Sequence, residues 1–371
     1  MSDGNVHKVI PISQPSITDK EIEYVTDAIK SGWVSSLGSY IDDFERGFAK
    51  FCNTEYALVT SNGTTALHLS LVALGIGPGD EVIIPNFTFV ATANAVKYTG
   101  AKVVTVDVQE DTLCVDPSAV EKAITTKTKA IIPVHMYGHP ADMAKINLIA
   151  KKNNLFVVED CAEAHGAEIQ GKKVGVFGDV GTFSFYGNKI MTSGEGGMVT
   201  TNNKELYQKM KLLRDHAMSK DRKYWHEEVG FNYRMTNLQA ALGLAQLERI
   251  EELLAKKNQI FRWYEEGLKG VQNIKLNNER EGYKNVYWLV CLEVIGYNES
   301  KRDELINRLK KKDIDSRPFF YPMSQLPMYV NANTPVTHKI FQRGINLPSY
   351  FDLTKKDVDR VVECIKEIMS D

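Results

Sequence analysis

Cysteine, net charge and long apolar runs are all scarce in this sequence. The five cysteines, at 52, 114, 161, 291 and 364, are odd in number, scattered, and include no CxxC pair. Neither a disulfide framework nor a cysteine zinc site is expected, and reduced thiols of a cytoplasmic protein are. A net charge of −2 gives no electrostatic footprint for nucleic acid or for an anionic membrane surface. No apolar run is long enough to span a bilayer, and the opening Met-Ser-Asp-Gly-Asn-Val-His-Lys lacks the apolar core of a signal peptide. Internal repeats and low-complexity segments are missing too. So is a strand–GxGxxG–helix unit. Gly75-Ile-Gly-Pro-Gly79 ends a helix and precedes a strand, the reverse of the dinucleotide-binding order, which argues against a nicotinamide oxidoreductase.

What is present is the composition of a globular protein, 43% hydrophobic and 25% charged over 371 residues, with room for one large domain and one smaller. Thr18 and Glu21 form a capping-box pattern before a helix reaching about Ser31. Ile41, Phe44, Phe48 and Phe51 line one face of a helix over 40–51. Strands are expected at 56–60, 81–85, 103–107, 129–135 and 155–158, separated by helical segments. One of these segments is expected to open at Asn86 and close at Gly100. A long helix from Leu238 to about Gln259 is expected to link two domains, 1–250 and 251–371. The second is read as α+β, with a strand over 287–294 and helices over 300–311 and from about Thr354.

The stretch Val180 to Gly197 is the centre of the chain. Val180 to Phe185 reads as a strand, and a loop with glycines at 187, 194, 196 and 197 follows. Lys189 stands where the strand gives way to the loop. A buried lysine amine can act as a nucleophile and form a Schiff base with a carbonyl cofactor, and the glycines let backbone approach a flat ligand. Taken singly, one of 45 lysines and arginines is an ordinary surface cation; its company elsewhere changes that. Ser61-Asn-Gly-Thr-Thr65 lies between a strand and a helix, where free N–H groups and the helix dipole can hold a phosphate. Leu155-Phe-Val-Val158 is an apolar strand ending in Glu159-Asp160. Ligands in open α/β sheets bind beyond such carboxyl ends, which makes Asp160 a site candidate. His135 and His139 lack a third metal ligand at the right spacing and read as packing or substrate-lining residues. Trp33 stands in a loop and is read as packing or as a substrate wall.

Four stretches, Ser61–Thr64, Glu159–His165, Phe183–Lys189 with its glycine loop, and Gly230–Asn237, together resemble the DegT/DnrJ/EryC1/StrS sugar aminotransferases. The resemblance runs from about Ile10 to the C-terminal helix. It implies the pyridoxal-phosphate (PLP) fold type I: a large α/β/α domain with a mainly parallel sheet, and a smaller C-terminal α+β domain. It implies that Lys189 would hold the cofactor and shuttle a proton, with Asp160 facing the pyridine nitrogen. Gly63, Thr64 and Ser184 would hold the phosphate, and Phe87 would cover the ring. Asn232 would reach the phosphate of a neighbouring subunit, making a homodimer with shared active sites. Glu163 stands where most relatives carry Gln; it would lie near the 3′-oxygen, either protonated or accepting from a neighbour. Trp33, Arg317 and Tyr321 would line a nucleotide-sugar pocket. The expected reaction moves the amino group of glutamate to C4 of a nucleotide-linked 4-keto-6-deoxyhexose. Trp33-Val-Ser-Ser, Tyr224-Trp-His, Arg317-Pro-Phe-Phe-Tyr-Pro322 and Gly344–Ser349 point to the branch acting on GDP-4-keto-6-deoxymannose. UDP- or dTDP-linked sugars, or a 3-keto sugar, are the alternatives. Related sugar dehydratases carry histidine where Lys189 stands, and a PLP-binding regulator would need a DNA-binding segment that is not visible here.

Overall fold

The computed structural model describes residues 9–219, 221–330 and 332–370. The Glu21 carboxylate accepts the N–H and hydroxyl of Thr18, closing the capping box of α1 (Asp19–Lys30). In α2 (Ser39–Cys52) the i, i+3, i+7 spacing buries Ile41, Phe44 and Phe48. Asn53, in the left-handed region, ends that helix.

Strand-to-helix units follow. β1 (Tyr56–Thr60) leads to α3 (Gly63–Ala73), β2 (Glu81–Pro85) to α4 (Val90–Tyr98), β3 (Lys102–Val106) to α5 (Pro117–Ala123), and β4 (Thr128–Ile131) to α6 (Met143–Asn153). β5 (Phe156–Asp160) leads to a hairpin of β6 (Glu168–Ile169) and β7 (Lys172–Lys173). β8 (Val180–Ser184) and β9 (Gly197–Thr201) bracket the lysine loop, and α7 (Lys204–Arg214) follows. Seven strands form a sheet in the order β1-β9-β8-β5-β4-β2-β3. The pairs from β8 to β3 are parallel. β9 runs antiparallel to both of its neighbours, so β1 points the same way as β8. The residues following Thr60, Pro85, Asp160 and Ser184 therefore emerge at one edge, where an α/β sheet binds ligands.

Three expected elements differ. The strand over 129–135 stops at Ile131, since Pro133 has no N–H for the ladder and the chain then turns through Met136–Gly138. Asn86 does not open a helix; its amide donates to Ser324 and Thr334, which holds Asn86–Phe89 extended until α4 starts at Val90. The long helix is two, α8 (Asn237–Glu248) and α9 (Ile250–Gly267), broken at Arg249, whose φ is −107°. Arg249 reaches Glu21 at 2.8 Å, and the break lets α8 pack on α1 and α2 while α9 turns toward the C-terminal helix.

That later part holds β10 (Ile274–Leu276), β11 (Tyr283–Lys284), β12 (Val290–Val294), α10 (Glu299–Lys311), β13 (Arg317–Pro318), α11 (Pro335–Arg343), β14 (Gly344–Leu347) and α12 (Lys355–Ser370). Its sheet runs β10-β12-β14-β13, all antiparallel, over a core that includes Leu292, Leu305, Val361 and Ile365. Ile10, from the N-terminal arm, is buried in this same core. We propose the division of the chain at 250/251, with the arm crossing to the second unit. All five cysteines are free and buried, and among the described residues no helix is long and apolar enough to cross a membrane.

Candidate active site

Lys189 lies just past β8, where its N–H closes a turn on the Tyr186 carbonyl at 2.9 Å. Its side chain is folded inward and only 10% exposed. The amine lies 4.0 Å from Glu163 Oε1 and 3.9 Å from the centre of the Trp288 ring. Burial lowers its pKa from that of an ordinary lysine, and the carboxylates of Glu163 and Asp160 oppose the fall. A lysine so placed releases its proton more readily than a surface lysine.

The two nearby acids are buried. Asp160 Oδ2 accepts from the Thr92 hydroxyl at 2.8 Å and Oδ1 from the Ala162 N–H at 3.2 Å. Burial raises its pKa, and the Thr92 and Ala162 donors restrain the rise. Glu163 Oε2 accepts the Tyr137 N–H at 2.8 Å. Its pKa is raised to about 7, chiefly by burial, with the charge of Lys189 pulling it down. Tyr137 adopts φ 51°, a conformation that a bulky residue adopts only when its surroundings impose it.

A phosphate cradle lies at the same edge. Gly63 and Thr64 are the first two residues of α3, and their N–H groups have no carbonyl one turn back to bind. Asn62 caps the next donor, Thr65 N–H, at 2.9 Å. A Cβ on Gly63 would lie 2.8 Å from Ser184 Cβ, so only glycine admits Ser184 this close to the helix start. Two free N–H groups, a hydroxyl and a positive helix end suit a phosphate. A buried amine and a buried carboxylate further along the edge suit an aldehyde and a ring nitrogen. The residues present therefore fit PLP. Phe87 is fully buried, 5.9 Å from the Tyr137 ring and 5.5 Å from Phe319.

The remaining candidates are not drawn into this buried group. Asn232 is exposed and its Oδ1 accepts from Arg234 at 3.0 Å. Trp33 is 56% and Tyr321 51% exposed, and Arg317 is exposed on its short strand. The Trp33 carbonyl accepts from Asn237 at 2.8 Å, tying its loop to the start of α8. His135, Glu159 and Cys161 bring three possible metal-ligand atoms within 4.8 Å of one another. Two of the three are committed elsewhere: Glu159 accepts from Gly175, Phe177 and Gly178 N–H and pairs with His135 Nε2, while His135 Nδ1 accepts from Ala141 N–H. That cluster holds the loop before β8. A cavity of about 970 Å³ beside α9, lined by Phe261, Arg262, Glu265 and Tyr287, contains none of the candidate residues. Sequence reasoning passed over Thr92, Tyr137 and Trp288; an aromatic pair at 287–288 next to an expected strand was the only hint of the last.

The model of the DegT/DnrJ/EryC1/StrS aminotransferase family matches residues 15–366. GDP-perosamine synthase of Escherichia coli O157:H7 is 46% identical over 366 residues, which is 98% of this chain and 100% of the relative. GDP-perosamine synthase of Caulobacter vibrioides is 45% identical over 365 residues, 97% of this chain and 98% of the relative. Among solved structures, Spr1654 of Streptococcus pneumoniae, a candidate sugar aminotransferase, matches in its PMP form with a TM-score of 0.94 and 31% identity, over 98% of both chains. Its PLP form matches with the same TM-score at 30% identity, over 98% of this chain and 99% of that one.

Proposed function

The chain belongs to the DegT/DnrJ/EryC1/StrS aminotransferase family, and from that premise we propose that it aminates C4 of a nucleotide-linked 4-keto-6-deoxyhexose. It is a PLP-dependent sugar transaminase, and its α/β architecture is that of the fold type I enzymes. The acceptor is GDP-4-keto-6-deoxymannose and the product GDP-perosamine, a reading supported by relatives of that activity at 45–46% identity over nearly the whole chain. Glutamate is the proposed donor. The observation that carries the chemistry is the buried Lys189 amine between Glu163 and Trp288, at the sheet edge shared with Asp160.

When bound, PLP supplies an electron sink for the carbon that loses or gains a proton. The protein supplies the rest. Gly63, Thr64 and Ser184 would hold the phosphate, and Phe87 would pack toward the ring. Thr92 and the Ala162 N–H orient Asp160, which would face the pyridine nitrogen and keep a proton in place there. The Lys189 amine would hold the cofactor between turnovers and, when free, would move the proton to and from the reacting carbon. Glu163, oriented by the Tyr137 N–H, would serve the 3′-oxygen. Burial excludes water from these groups, which strengthens each charge interaction.

The site is proposed to be completed by a second copy of the chain. Trp33, Val34, Leu37, Phe89, Tyr186 and Trp225 are exposed large hydrophobic side chains that a second copy could cover. Asn232, exposed on one subunit, would reach the phosphate of the other. Trp33, Arg317 and Tyr321 are the proposed nucleotide-sugar contacts. Free, buried thiols support a cytoplasmic setting. The test is an absorption spectrum of the purified protein with PLP, before and after glutamate. A visible band that gives way to near-ultraviolet absorption is expected, followed by amination of GDP-4-keto-6-deoxymannose in preference to UDP- and dTDP-ketosugars. A protein that stays colourless with PLP would overturn the reading.

A further inference from the structure

We propose that Trp288 is a positioning residue for Lys189, its indole face being the seat of the ε-ammonium whenever that amine is free. Trp288 lies 99 residues further along the chain, yet its ring centre is 3.9 Å from Lys189 Nζ. The ring is only 3% exposed and is fixed from three sides. Its indole N–H donates to the carbonyl of Asn188, the residue before Lys189, at 2.8 Å. Its own carbonyl accepts from the buried amine of Lys257 at 2.9 Å. Tyr137 stacks alongside at 6.0 Å and 22°, and the N–H of the same Tyr137 holds Glu163. The seat thus has a π face on one side and a carboxyl on another, with both walls anchored on Tyr137.

An indole face attracts a cation most strongly where water is excluded. It does so without a formal charge, so it can hold the ammonium yet let it go when the amine must react. The bond to Asn188 satisfies the buried indole N–H and fixes the ring against the residue that precedes Lys189. The inference rests on the reading of Lys189 as the reactive amine, and it adds where that amine rests in the half of the cycle when it is not bonded to cofactor.

Other charged groups also face the amine. Glu163 and Asp160 favour the ammonium and burial opposes it, His165 is kept neutral chiefly by burial, and Lys257 lines the same narrow cavity. The test therefore changes the tryptophan rings while leaving every charged group in place, and Trp288→Met separates Trp288 from the other three. The full-length chain, stripped of cofactor, is produced with its four tryptophans as the natural residue or as mono-, di- or trifluorinated indoles. These keep the ring shape and the N–H but progressively weaken the π face. Lys189 is acylated in short pulses with acetic anhydride across a pH series and read by mass spectrometry. The labelling midpoint of Lys189 is expected to fall stepwise with fluorination, by on the order of one pH unit across the series. A midpoint that does not move, or that rises, would overturn the proposal. Trp288→Met supplies a second reading by removing the face while filling much of the volume; its midpoint should lie at or below that of the most fluorinated chain. A wild type that never takes up PLP would sink the transaminase reading and leave the labelling result standing.

Discussion

Glu163→Gln isolates a single buried proton. The Glu163 carboxyl is buried, 4.0 Å from Lys189, and ionises at about 7 rather than the ordinary 4.5. The native state therefore holds this proton more tightly than the unfolded chain does. Between pH 4.5 and 7 the unfolded chain has lost the proton and the folded one has not, so stability falls as pH rises. Each pKa unit corresponds to about 1.4 kcal/mol, and the rise from 4.5 to about 7 to about 3 kcal/mol. The stabilisation is fully present below pH 4.5 and is lost by about pH 7. Glutamine cannot ionise but keeps an oxygen for the Tyr137 N–H, so the variant lacks this dependence. Asp160, also raised by burial, is common to both proteins. Urea unfolding of the cofactor-free proteins, at matched protein concentration because assembly contributes to stability, measures the difference. Wild type minus variant is expected to fall by about 3 kcal/mol from pH 4.5 to 7. A difference that is flat across that window, or grows with pH, would refute a protonated acid at position 163.

Three further outcomes follow from the same contacts. Lys189→Ala should fold, fail to develop the visible band with PLP, and lose turnover by at least about a thousandfold; retained transamination would sink the assignment of the amine. Glu159→Ala leaves three backbone N–H groups and His135 without their acceptor. At about 1–3 kcal/mol for each unpaired buried donor, the variant should lose at least about 4 kcal/mol in thermal or urea unfolding, and a near-neutral effect would show that water replaces the carboxylate. Mixing Lys189→Ala with Asn232→Ala, each inactive or impaired alone, should restore activity on subunit exchange, because one hybrid site carries both natural residues. A mixture no more active than the sum of its parts would argue against a site shared between subunits.

Much of this protein was legible in the sequence because it depends on near neighbours along the chain. The capping box of α1, the buried stripe of α2 and the strand that leads to Lys189 depend on spacings of three or four residues, or on alternation. Asp160 could be placed at a ligand-binding edge because an apolar strand ended in acids. Gly63 and Thr64 could be placed at a helix start because a short polar turn separated a strand from a helix. Other features depended on contacts between distant segments. The break at Arg249 follows from a pairing with Glu21, 228 residues away. The extended path of Asn86 follows from hydrogen bonds to Ser324 and Thr334, 238 and 248 residues away. The inward turn of Lys189, the strained Tyr137 that aims Glu163, and the indole beneath the amine exist only once β8 packs beside β5 and the C-terminal half closes over both. Local periodicity names the residues that can do chemistry; desolvation and the partners that offset it are properties of the packed chain, and they decide the protonation and direction of each group.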